Sequence, residues 1–166
     1  MKLSTQLKEF HACPEGYEWA KDKTIEEAWS TCERGDWMLW YAAKINIDRR
    51  LLVRAACACA RLALKSVPEG EDRPRIAIET AEAWTEGKAS LKDVRTAAFA
   101  ANAANAAYAA YAARAAAKAA DVAHAAAYAA ADAAYAADAA AYTTTLHVCA
   151  EIVRSMIPLD ALKGDK

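Results

Sequence analysis

From Leu91 to Ile157 the chain runs 67 residues without a glycine or a proline. Within that run, 31 of the 45 residues from Ala97 to Ala141 are alanine, and Phe99 and Val122 are the only larger purely apolar side chains there. Alanine has the highest intrinsic helix propensity, so this stretch is helical even with modest packing. As one straight helix the run would extend about 100 Å. A compact domain of this length has a radius of gyration of only about 15 Å. The run therefore folds back on itself or projects to meet another chain.

The polar interruptions help to choose. At 100° per residue, Arg114, Lys118, Asp121, His124, Tyr128, Asp132, Tyr135, Asp138 and Tyr142 share a sector of about 160°. Asn102, Asn105, Tyr108, Tyr111 and Arg114 recur every three residues and sweep through about 240°. One straight helix cannot keep both groups on one face. That places a break between Tyr108 and Asp121, the only strong capping residue in the interval. The β-branched cluster Thr143–Thr145 marks a second irregularity ahead of Leu146–Ile157.

Helix punctuation elsewhere is plain. Thr24 with Glu27 reads as a capping box, opening a short helix that ends near Gly35. Asp36 then caps a helix through Trp37–Lys44, and Asp48 caps a longer one over about 49–66. Pro68-Glu69-Gly70 ends that helix. Asp72 with Pro74 starts the next, which stops at Gly87, and Ser90 with Asp93 opens the alanine-rich part. The segment before Thr24 carries no such signal and reads as mostly irregular. The expected fold is all-α: one helical domain over 1–166 of about six or seven helices, with aromatic-rich helices in 1–70 and alanine-rich central helices within 72–157.

Several functions are excluded on composition. With 21 Lys+Arg against 22 Asp+Glu, the chain lacks the basic excess of a general duplex-DNA binder. No stretch of 18 residues is both strongly apolar and uncharged, so no membrane span is expected. Met1–Gln6 is followed by no signal-peptide core, which points to the cytoplasm. Five cysteines, Cys13, Cys32, Cys57, Cys59 and Cys149, are then expected as free thiols. Cys57 and Cys59 stand about 200° apart on a helix and share no metal. His11 and Cys13 with Cys32 match no standard zinc spacing. Arg34-Gly35-Asp36 resembles an adhesion tripeptide, but helix-stop and helix-cap roles account for Gly35 and Asp36. No phosphate loop, nucleophile elbow or paired histidine ligands occur, and the long tract lacks the regular threonine repeat of an ice-binding helix. Neither a catalytic residue nor a cofactor is nominated.

The stripe in the alanine tract admits two readings. One is the solvated outer face of a helical bundle. The other is a recognition strip, because Tyr128, Tyr135 and Tyr142 recur at heptad spacing, and no Glu or Gln occurs between Arg95 and Cys149. Tyrosines suit a partner surface or stacking on a planar ring. Arg114, Lys118 and His124 offer donors to an anionic group, and Asn102 and Asn105 read polar edges. Asn102, Asn105, Tyr108, Tyr111, Arg114, Lys118, His124, Tyr128, Tyr135 and Tyr142 are therefore the candidate binding residues, for a small anionic nucleotide-like ligand or a protein partner. Close alanine packing between chains adds a homo-oligomer to the expectations.

Glu71-Asp72-Arg73-Pro74-Arg75-Ile76-Ala77-Ile78-Glu79, then Ala83-Trp84, Glu86-Gly87 and Arg95 leading into alanine repeats, resembles the immunity-protein family of bacterial toxin systems over about 72–142. The part from Cys13-Pro14-Glu15-Gly16-Tyr17 to Leu39-Trp40 is similar to uncharacterised phage proteins. The resemblance implies conflict biology. It leads to a non-catalytic phage or mobile-element protein that sequesters a defence component, such as a nucleotide-derived immune signal. An immunity protein that masks a toxin is the alternative, and an alanine-rich assembly protein is a third.

Overall fold

The computed structural model describes residues 2–67, 69–102 and 142–163, and these residues are all-α, with eight α-helices and no strand among them. None of the described helices is long and apolar enough to cross a membrane. Two compact units are present, Met1–Cys32 and Glu33–Lys166.

The first unit holds α1 (Leu3–Glu9), α2 (Pro14–Ala20) and α3 (Ile25–Thr31). The segment before Thr24, expected to be irregular, thus forms two short helices. Leu7 and Lys8 carbonyls accept from Ala12 and His11 amides, a Schellman closure of α1 in which His11 takes a left-handed φ of 56°. Pro14 then starts α2, where its missing N–H is not needed. Cys13 Sγ accepts from Gly16 N at 3.4 Å, a task usually given to serine or aspartate. The expected capping box is present at α3: Thr24 Oγ1 accepts from Glu27 N at 3.1 Å, and Glu27 Oε2 accepts from Thr24 N at 2.8 Å. That helix ends at Thr31, four residues before Gly35.

The second unit holds α4 (Gly35–Lys44), α5 (Arg49–Arg61), α6 (Arg73–Thr85), α7 (Leu91–Asn102) and α8 (Tyr142–Met156), with 3-10 turns at Leu62–Ser66 and Leu159–Lys163. Helix α8 packs on α4 and α5, α5 on α6, and α6 on α7. The larger buried side chains are Leu39, Leu52, Val53, Ile78, Val94, Val153 and Ile157. Each contributes about 1.5–3 kcal/mol through burial. Between them lie Ala42, Ala43, Ala55, Ala56, Ala60, Ala81 and Ala150, all buried.

Several helix ends follow the sequence. Asp48 Oδ1 accepts from Leu51 N at 2.9 Å at the start of α5. Gly87, at φ 76°, closes α6 by a Schellman pair in which Gly87 N donates to Trp84 O and Lys88 N to Ala83 O. Ser90 and Asp93 exchange hydrogen bonds at the start of α7.

Two expectations are corrected. Gly35 begins α4 rather than ending α3, and Asp36 lies inside that helix without capping it. Asp36 instead accepts from Arg34 Nε at 2.9 Å and Nη2 at 2.7 Å, while the Arg34 guanidinium lies 4.4 Å from the centre of the Trp37 ring. Threonines 143–145 are not a break either, since α8 runs straight through them from Tyr142.

Candidate partner-binding surface

Of the ten residues expected to bind a partner, two are among the described residues: Asn102 in α7 and Tyr142 in α8. Asn105, Tyr108, Tyr111, Arg114, Lys118, His124, Tyr128 and Tyr135 lie outside the described residues, as does the expected break between Tyr108 and Asp121. The two helices that carry Asn102 and Tyr142 are well packed. Val94, Ala98 and Ala101 of α7 are buried, with Ala101 against Ala77 of α6 and Ala97 packed beside them. Leu146, Cys149, Ala150 and Val153 of α8 are buried as well. On the outer faces, Phe99 of α7 is 78% exposed and Ile76 of α6 is 45% exposed.

The contact between α4 and α8 is unusually close. An ideal Cβ on Gly35 would stand 2.5 Å from Cys149 Cβ, 2.7 Å from the Cys149 carbonyl carbon and 2.8 Å from Ala150 N. Gly35 is thus a close-approach glycine, a role that local sequence reading assigned to chain reversal.

The side chains with chemical potential are mostly occupied by packing. Cys32, Cys57, Cys59 and Cys149 are buried free thiols and Cys13 is an exposed one. Burial pushes the Cys57 thiol well up, and its Sγ donates to Ile78 O at 3.9 Å. A hydrogen bond with Cys149, then burial, does the same to Cys59, whose Sγ donates to the Cys149 carbonyl. Both stay protonated at neutral pH, and a thiol is a far weaker nucleophile than a thiolate. His147 is exposed, with Nδ1 3.9 Å from Glu33 and Nε2 4.0 Å from Glu151. The Glu151 carboxyl is held below its ordinary value, first by a hydrogen bond from Arg154. No group of three His, Cys, Asp or Glu among the described residues is placed to hold a metal ion.

Arg95 apart, the arginines among the described residues divide into two sets. Arg34, Arg61, Arg73, Arg75 and Arg154 each reach a carboxylate: Asp36, Glu82, Glu71, Asp72 with Glu79, and Glu151. Arg49, Arg50 and Arg54 of α5 stand apart, the last two exposed. The Arg49 guanidinium lies 5.7 Å from the centre of the Trp84 ring, and its buried Nε has no hydrogen-bond partner. None of these four was singled out from the sequence as a binding residue. The available signal was an Arg-Arg pair directly after a helix cap, where cations are disfavoured.

The described residues thus form an all-helical fold with small residues at its helix contacts, four buried thiols and charge on its outer faces. The chain belongs to the Imm-5 like putative immunity protein family, whose model matches residues 44–158, well over half of the chain. The match opens at the last residue of α4 and takes in α5–α8, a wider span than the 72–142 resemblance read from the sequence. No curated protein and no solved structure matches the chain.

Proposed function

We propose that the chain is a non-catalytic immunity protein that neutralises a toxic protein by binding and masking it. The family match over 44–158 carries this reading. The surface chemistry agrees with it: four of the five thiols are buried, while arginine, phenylalanine and isoleucine stand on outer faces, where a protein partner would meet them. We place its action in the cytoplasm, with self-association through alanine-rich helices as a further part of the proposal. The test is tagged expression in a toxin-bearing host, cross-linking and identification of a stoichiometric partner, followed by co-expression of that partner with and without the chain. Rescue of growth by the chain is the expected result. Rescue by an unrelated helical protein, or a partner whose toxicity the chain leaves intact, removes the masking reading.

The sequestration of a nucleotide-derived immune signal by a phage or mobile-element protein rests on the tyrosine stripe, from Asn102 to Tyr142. Calorimetry with cyclic and ADP-ribose-type nucleotides tests it. Absence of heat with every one of them at high protein concentration eliminates it.

A further inference from the structure

Three arginines of α5, Arg49, Arg50 and Arg54, form no ion pair with a carboxylate among the described residues, and two of them sit where a helix least favours a cation. Arg49 and Arg50 are its first two residues, and its first turn has no acidic side chain. Cations there oppose the partial positive charge of the helix N-terminus. Asp48, just ahead of them, is engaged by the Leu51 N–H. Arg50 and Arg54 lie four residues apart on one exposed face, a like-charge spacing that weakens a helix further. Glu86 feels the charge of Arg54, but its own ion pair is with Lys88 at 2.6 Å, and that bond is the main reason its carboxyl titrates low. Arg61, further along α5, is neutralised by Glu82. The corner therefore combines an uncompensated cationic face with the indole of Trp84 beneath Arg49.

We infer that the α5–α6 corner formed by Arg49, Arg50, Arg54 and Trp84 is the docking surface for carboxylates on an acidic protein partner, an inference that rests on the masking function. Arginine forks match carboxylates in a planar, two-bond geometry, and arginine and tryptophan are among the residue types enriched where interface energy concentrates. Charge complementarity selects protein over nucleic acid. The cationic patch is small, and the chain as a whole is balanced at 21 cations to 22 anions, without the basic excess that a phosphate backbone calls for.

Fluorescence anisotropy of the full chain tests this, with a labelled oligoglutamate peptide and a labelled single-stranded oligonucleotide of equal charge. The proteins are wild type, the double variant Arg50→Glu with Arg54→Glu, and a control, Lys65→Glu, in the exposed 3-10 turn. Wild type and control bind the peptide at about 0.05 M salt, and the double variant binds at least about tenfold more weakly. Circular dichroism confirms an unchanged fold, as both arginines are exposed. Equal affinity in all three proteins, no binding by wild type, or tighter binding of the oligonucleotide overturns the inference. Partner capture separates the two claims. Capture by wild type alone supports the corner, and equal capture by the double variant retains masking but removes the corner. Capture by neither removes masking and leaves the corner to the peptide measurement.

Discussion

Substituting Gly35 by alanine would place a methyl carbon 2.5 Å from Cys149 Cβ, 2.7 Å from its carbonyl carbon and 2.8 Å from Ala150 N. Ordinary carbon contacts begin near 3.5 Å. Two of the three opposing atoms are backbone and the third is fixed to it, so no side-chain rotation relieves the clash. Helix α8 must move away from α4 by about 1 Å, and a gap of that size forfeits a quarter to a half of each contact's dispersion energy. The loss falls on the seam that buries Leu146, Cys149, Ala150 and Val153. Overpacking of this kind costs about 1–3 kcal/mol, and alanine's better helix propensity returns at most about 1 kcal/mol. The net expectation is a loss of about 1–2 kcal/mol, which in a chain of this size lowers Tm by about 2–8 °C. Thermal unfolding followed by far-UV circular dichroism measures it. Truncating Cys149 to alanine as well brings no rescue, because the opposing atoms remain. A G35A protein that melts within a degree of wild type, or above it, refutes the close-approach account of this glycine.

Other outcomes follow from the same structure. Brief alkylation of the native protein at mildly alkaline pH should modify Cys13 alone, with the other four thiols reacting only after unfolding, and mass spectrometry counting two or more early adducts would contradict the burial of those thiols. Thr24→Ala removes the reciprocal cap of α3 and should destabilise it by about 1 kcal/mol, read from the urea midpoint and from amide exchange in residues 25–31. The carboxyls of Glu27, Asp93 and Glu151 are held low by Thr24, Ser90 and Arg154 respectively. Their contribution is therefore present above the ordinary carboxylate range and is lost as pH falls through their lowered folded values. Thr24→Ala should flatten the Glu27 part of that acid limb, and an unchanged limb would show that the cap contributes no proton linkage.

The helix starts were legible because their signals are local. Thr24 with Glu27, Asp48 with Leu51, and Ser90 with Asp93 lie three residues apart, and the hydrogen bonds form at those places. Helix ends were legible only where glycine marked them. Gly87 was read correctly, whereas the same Schellman geometry at Asn46, φ 57°, and His11, φ 56°, carries no glycine and passes unnoticed in the sequence. Gly35 and Asp36 show the opposite failure. Their residue types fit local stop and cap roles, but the reasons for them are tertiary: the backbone of α8, and a guanidinium held over Trp37. The α5–α6 corner was missed for a related reason. Eight charges of α5 and α6 look alike on paper, and only their pairing in space separates Arg61 with Glu82 from Arg50 and Arg54.

The seam of glycine, alanine and cysteine between α4, α5 and α8 has a consequence for how such a chain can change over generations. Glycine and alanine have no side-chain torsion with which to make room and cysteine has one, so the seam admits mainly exchanges of nearly equal volume. Substitution is thereby channelled outward, to positions such as Arg50, Arg54 and Ile76, where a residue can be replaced while the helices keep their spacing. A scaffold that is rigid within and permissive without can change its surface chemistry one residue at a time.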